Sequence, residues 1–460
     1  MKIHYRYKLS LAIFAWTLLG ICHAQIEKSR ALTEAAPAAV VDSSAAMLEI
    51  PAVAKDAKAP FTVAQTPPLI ELALYPEPIK HPEWGHIWSQ WGDGVIGPDG
   101  RFYSAIGDHG GPDGHSYIYA YDAQERRLQL VIDQQKLLGQ QQGDWGFGKI
   151  HCRLEYLDDG MLYWGTYWGN GLPADNPQED KRYGMVVRAD PRTGAGEILG
   201  TAKVPYVIPM GMVDHRAKLY YAFMCDNHWQ SKGFLVFDLE ARKTIYHDHE
   251  KEERGQRFIL IAEERASAYF TVQPDGENDL WLARYDVKTN TVNLKEIRLP
   301  NDYGTMRAGT EHADGRGFYY IVCNGKLARV DLQAKVAEPI GPIWDEGEYT
   351  TALEISPGGR YIYAIPGSHG TAWQFGAPVI QYDLKTDTRK VLAFLEPYYQ
   401  EHYGYYMGGS YCVELSADGT QLFFGMNGND KGDGQAFGLP GSMLLHIPAS
   451  ERLDDTMGGT

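Results

Sequence analysis

From Leu69 onward the apolar residues fall in short runs bounded by turn residues, a pattern that predicts strands in place of long amphipathic helices. Six aromatic-rich runs are of strand length: Phe102-Tyr103-Ser104-Ala105-Ile106, Leu162-Tyr163-Trp164-Gly165, Leu219-Tyr220-Tyr221-Ala222-Phe223, Phe318-Tyr319-Tyr320-Ile321-Val322, Tyr361-Ile362-Tyr363-Ala364-Ile365 and Leu422-Phe423-Phe424-Gly425. Most follow a tight turn, as at Pro98-Asp99-Gly100, Asp158-Asp159-Gly160, Ala313-Asp314-Gly315, Pro357-Gly358-Gly359 and Ala417-Asp418-Gly419. A second mark, an apolar or aromatic residue followed by Asp and a polar turn, closes a later strand. It stands at Tyr121-Asp122, Phe237-Asp238, Tyr285-Asp286, Val330-Asp331 and Tyr382-Asp383, with Ala189-Asp190 as a weaker copy and Ile447-Pro448 in the last place.

Successive marks are 68, 48, 48, 45, 52 and 65 residues apart, which makes seven units. Each unit reads as a strand, a turn, an aromatic strand, a third strand carrying the Asp mark and a fourth leading out. Seven copies of such a unit predict an all-β fold, a seven-bladed β-propeller of four-stranded antiparallel blades over residues 69–460. A pair of β-sandwiches would not require seven copies of one unit. Composition agrees: 30 Tyr and 11 Trp beside 50 Gly and 25 Pro suit many short strands joined by turns.

The first 24 residues read as an export signal. Lys2, Arg6 and Lys8 precede the apolar run from Leu11 to Leu19, and small Ala24 ends a cleavage site. The run is too short to span a bilayer, which needs about 20 residues, and no later segment is long enough. Lipoprotein processing at Cys22 is disfavoured by the bulky Ile21 before it. The expected location is therefore secreted or periplasmic, without a membrane span. Residues 25–68, rich in Ala and Pro and without strand alternation, read as a flexible linker. Loss of the signal removes three cations and no acids, so the formal charge moves from −16 to −19. That balance argues against nucleic acid and anionic membranes as partners. Cys152, Cys225, Cys323 and Cys412 lack the close spacing of a disulfide framework and read as buried free thiols.

In a four-stranded blade the loops leading into the innermost strand share a face with those following the second strand. Here that face holds the long, chemically rich loops, while the other holds short Asp-Gly turns. His86, His109, His151, His228 and His369 all map to the rich face, and histidine is the natural proton carrier near neutral pH. Tyr167 stands fifteen residues before Arg182 in one blade, so a loop that leaves and returns could bring phenol and guanidinium together. These groups match β-elimination at a uronic acid: a cation neutralises the carboxylate, a base takes the proton beside it, and an acid protonates the leaving oxygen. Trp84, Trp145, Trp168 and Trp229 would offer faces for sugar rings.

The run from His86 to Asp122, with Asp93-Gly94-Val95-Ile96-Gly97-Pro98-Asp99-Gly100-Arg101-Phe102-Tyr103 leading to Ile106-Gly107-Asp108-His109, resembles the first blade of exported seven-bladed propeller polysaccharide lyases, the ulvan lyases most of all. The resemblance extends over roughly residues 80–450 in blade count, order and motif style. It implies cleavage of an acidic, ulvan-like polysaccharide by β-elimination, with His86, His109, Tyr167 and Arg182 as the catalytic set and Tyr163 and Tyr183 as rivals of Tyr167. His151, Trp168, His228, Arg307 and Tyr405 are assigned to holding substrate. The resemblance further implies a divalent metal, zinc or calcium, for which Cys225 with His228, joined by His215 or His312, would be ligands; unmetallated loop residues are the equal alternative. The expected assembly is a monomer. Two other classes stay open: a glycoside hydrolase or pectic lyase on the same scaffold, for which Asp108, Asp226 and Asp430 are candidate acids, and a non-catalytic carbohydrate-binding propeller.

Overall fold

The computed structural model describes residues 30–456, apart from 85–86, 112, 169–183, 202–205, 227–229, 249–252, 255–256, 346–348, 432–436 and 454. Seven antiparallel sheets surround one axis. Their innermost strands are Val95–Ile96, Glu155–Tyr156, Val207–Asp214, Leu260–Ala262, Met306–Gly309, Leu353–Ile355 and Tyr406–Leu415, in blades one to seven. Each is followed by two or three further strands of its own blade, as the repeat spacing predicts.

The Asp mark works through local hydrogen bonding. Asp122, Asp238, Asp286, Asp331 and Asp383 each end the third strand of a blade. In four of them one carboxylate oxygen accepts from the backbone N–H groups two and three residues on, as Asp238 does from Glu240 at 3.0 Å and Ala241 at 2.8 Å. The fourth residue after the Asp then turns through the left-handed region, at Arg126, Arg242, Asn290, Lys335 and Asp387. In the weaker copy after Asp190 that position is Gly194. The spacing of the mark therefore records a turn geometry, which explains why it recurs.

The seventh blade is built from both ends of the chain. Its inner three strands, ending with Gly441–His446, come from the C-terminal region, and its outer strand is Leu69–Leu74, paired antiparallel with Gly441–His446. The run beginning at Leu69 thus belongs to the last blade, and ring closure is a sheet ladder. On the inner side Gln90 and Asn427 exchange two hydrogen bonds of 2.7 and 2.8 Å between the first and last blades.

Residues 30–68, expected to be a flexible linker, are a belt across the outer edges of blades one, seven and six. Val40–Asp42 pairs with Leu69–Leu74, and Phe61–Val63 pairs in parallel with the outer strand of blade six. Leu32 and Met47 are buried in the core shared by blades six and seven. Carboxylates of the ring hold the belt backbone: Asp345 accepts from Lys58 N–H, and Glu451 from Gln65 N–H. In return, Asp42 of the belt accepts from the hydroxyls of Tyr398 and Tyr403. The belt covers sheet edges that would otherwise present unpaired backbone. Its strands are three residues long, too short to show alternation.

Cores between the blades are aromatic. Phe234 and Phe270, from adjacent blades, stack with centroids 4.4 Å apart, and Tyr285 packs against Phe234 at 5.9 Å. Cys152, Cys225, Cys323 and Cys412 are free and buried, as expected. No helix among the described residues is long and apolar enough to cross a membrane.

Candidate functional site

All seven innermost strands run in one direction along the axis, so the segments leading into them converge at one end of the channel and form a cup. Trp91 is its hub. The rings of His109, His151 and His369 lie 4.9, 6.3 and 5.6 Å from it, and those of Tyr411 and Phe437 lie 4.8 and 5.2 Å away. Lys149 places its ammonium 4.1 Å over Trp91 and 5.7 Å from the ring of Tyr167. Arg257 lies 4.4 Å over Tyr411, and its Nη1 donates to the Trp91 carbonyl at 3.2 Å and to the His151 ring. Arg307 lies 5.2 Å from the ring of Tyr349.

Positive charge dominates this end. Among the described residues neither Arg257 nor Arg307 forms an ion pair, in a chain of formal charge −16. The imidazoles respond accordingly. Burial lowers the proton affinity of His151 well below the ordinary value, and Arg257 and Lys149 add to the effect. His369 is lowered in the same direction, by burial first and then by Arg257, Lys149 and Arg307. Both are neutral acceptors or donors at pH 7. Because a carbonyl can only accept, the bond between His151 Nδ1 and the Pro209 oxygen puts the ring proton on Nδ1 and leaves Nε2 as acceptor. Lys149 is itself pushed well down by burial and by Arg257.

Five residues singled out in the sequence meet here: His109, His151, Tyr167, Arg307 and His369. Tyr167 is 1 % exposed, 5.2 Å from His151, and burial beside Cys225 pushes its hydroxyl well above the ordinary range. Trp168 is sealed behind it, stacked at 5.8 Å, and forms wall in place of substrate surface. Tyr405 is a correction: it is wholly buried in the seventh blade and donates to the Leu439 carbonyl at 2.8 Å, so it does not face the cup. Its neighbours in sequence supply the cup residue instead, through Tyr411. Tyr163 is tied to Asp159 at 2.6 Å on the opposite face. His86, Arg182, Tyr183, His228 and Trp229 lie outside the described residues. Trp84 has both faces covered, by His81 at 4.0 Å and His115 at 4.1 Å, which leaves no platform for a sugar.

Of the expected metal ligands, His228 lies outside the described residues, and His215 does not join Cys225. His215 and Cys225 stand at opposite ends of the first hairpin of blade three, and His215 pairs with Glu155 at 3.2 Å. Candidate hydrolase acids are also committed elsewhere: Asp108 is fully buried, accepts from Gly110 N–H at 2.6 Å and pairs with His115, while Asp226 pairs with Lys232 at 3.2 Å.

Below the cup the channel changes sign. Alternate residues of the inner segments, Trp91 and Asp93, His151 and Arg153, and Met210 and Met212, line a cavity of about 20 Å³, room for about one water. Beneath it Arg153, 5 % exposed, bonds Glu414 at 2.9 Å and pairs with Glu311 and Glu155. The carboxylates of Glu311, Glu354 and Glu414 come within 4.8 Å of one another, and the guanidinium already pairs with two of them. Burial, opposed by Arg153, pushes Glu354 up to about 8 and Asp93 up to about 6. The channel then opens into a cavity of about 520 Å³ on the hairpin face, lined by Glu155, His215, Glu263, Glu311, His312 and Tyr319 among others.

Fold and site together define a seven-bladed β-propeller with a cationic, aromatic cup at one end of its axis. No family model matches the chain, and no curated protein matches it. Solved propellers are similar to it in architecture at 10 % identity. The WD40 repeats of RRP9 cover 79 % of this chain and 94 % of their own, with a TM-score of 0.49. U3-55K covers 79 % and 95 % at 0.47, and the Dos1 propeller 78 % and 82 % at 0.44. Nothing in them bears on the ulvan-lyase resemblance.

Proposed function

We propose that the cup takes a uronate-bearing polysaccharide and cleaves it by β-elimination. The observation that carries this reading is the pair of guanidiniums, Arg257 and Arg307, held among aromatic rings and without a carboxylate partner among the described residues. A desolvated guanidinium pair offers bidentate donors to a sugar carboxylate, and neutralising that carboxylate is what makes the adjacent carbon acid labile. Neutral imidazoles at His151 and His369, the His109 ring and the phenol of Tyr349 stand within the same cup to move protons. The resemblance adds His86 and Arg182, which lie outside the described residues, to this set.

A non-catalytic acidic-glycan binder is favoured by one observation: Tyr167, assigned to proton transfer, is sealed and its hydroxyl held protonated. One experiment separates the two readings. The purified protein is incubated with glucuronate-, iduronate- and galacturonate-containing polymers, sulfated and unsulfated, and the unsaturated product is followed by its near-ultraviolet absorbance. Elimination predicts a rise on at least one polymer. Saturable binding with no absorbance on any polymer supports the binder.

A further inference from the structure

We propose that Tyr349 is the general base of the cup, a phenol beside the two guanidiniums and packed edge-on against the Tyr411–His369 pair. The assignment rests on the elimination reading above and deepens it. Tyr349 lies on the segment leading into blade six and is half-buried. Arg307 is 5.2 Å from its ring, and Arg257, seated on Tyr411, hydrogen-bonds its hydroxyl. The Tyr349 ring meets those of His369 and Tyr411 edge-on at 5.4 and 6.2 Å. The electrostatics follow from that placement. Burial raises the phenol's proton affinity, but Arg257 and Arg307 outweigh it, so Tyr349 falls below the ordinary value. The other tyrosines with a resolved shift all move upward, Tyr411 and Tyr167 included.

The step balances. The Tyr349 phenolate takes the proton from the carbon beside the carboxylate, the electron pair becomes a ring double bond, and the bond to the leaving oxygen breaks. The leaving oxygen takes its proton from water, because Tyr411 is 2 % exposed and its hydroxyl oxygen lies 2.7 Å from His369 Nδ1; Tyr349 afterwards releases its proton to solvent. The same arginines that bind the carboxylate activate the base, so substrate and base are coupled through one charge pair.

The test joins a titration to a rate. In the wild type, one tyrosinate is expected to appear in the near ultraviolet below the pH at which the others ionise; it should vanish in Tyr349→Phe and move upward in Arg307→Met. On a polymer the wild type cleaves, Tyr349→Phe should lose about 10³-fold in kcat with KM nearly unchanged. His109→Gln, outside the arginine pair, should leave the low-pH tyrosinate in place. Absence of that tyrosinate in the wild type overturns the assignment, as does retention of wild-type rate by a folded Tyr349→Phe. If no polymer is cleaved, the elimination reading fails and the assignment with it; cleavage by both wild type and Tyr349→Phe sinks the assignment alone.

Discussion

Arg153→Met is expected to destabilise the protein by about 3–5 kcal/mol, because removing one partner of a buried charge cluster leaves the others uncompensated. Arg153 is 5 % exposed and is the cation that Glu414, Glu311 and Glu155 share in the channel. Denaturant midpoints should fall most at pH 8 and less at pH 5. The sign follows from the carboxyls: Glu354 and Asp93 have folded-state values raised to about 8 and about 6. The folded chain therefore holds protons that the unfolded chain has released, and their contribution is fully present only below the ordinary carboxyl values of 4.5 and 3.8 and is lost progressively as pH rises through about 6 and about 8. Without Arg153 the penalty of ionising the cluster grows, which steepens the loss. Arg153→Met/Glu414→Gln should recover part of the stability. An unchanged midpoint at pH 8 would show that the cluster contributes nothing.

The second large effect concerns activity. Arg257→Met should lower kcat/KM on a cleaved polymer by about 10²–10³-fold, the usual cost of removing one preorganised donor to a developing anion. Arg257 also donates to the Trp91 carbonyl and His151, so thermal stability must be measured beside the rate. Arg257→Lys keeps the charge but loses the fork, and should restore only a minor part. Full activity in a folded Arg257→Met would remove the carboxylate clamp from the mechanism.

The fold was legible because its mark is local. An Asp that caps two backbone N–H groups, followed four residues on by a left-handed residue, ends the third strand of four blades. The belt was illegible because three-residue strands carry no periodicity and its partners lie far along the chain, 287 residues between Lys58 and Asp345 and 386 between Gln65 and Glu451 for hydrogen bonds, with Thr62 set against Lys390 for pairing.

The cup was half legible. His109, His151 and His369 were found from residue type and loop position. Trp91, Lys149, Arg257, Tyr349 and Tyr411 were missed, although Trp91, His151, Arg307, Tyr349 and Tyr411 all stand seven to nine residues before the central residue of a hairpin turn. That position leads into the innermost strand, and period-two alternation then aims every second side chain at the axis. Tyr405 failed for the same reason: it precedes the strand that carries Tyr411 but packs into the blade, with its hydroxyl on Leu439.

The central claim is that the two guanidiniums of the cup, without a carboxylate partner among the described residues, hold a uronate carboxylate. Calorimetric titration of a glucuronate-containing tetrasaccharide into the wild type and into Arg257→Met/Arg307→Met tests it most directly, without requiring turnover. Saturable binding that weakens with salt in the wild type and disappears in the folded double variant is the result this account predicts; equal affinity in both proteins would contradict it.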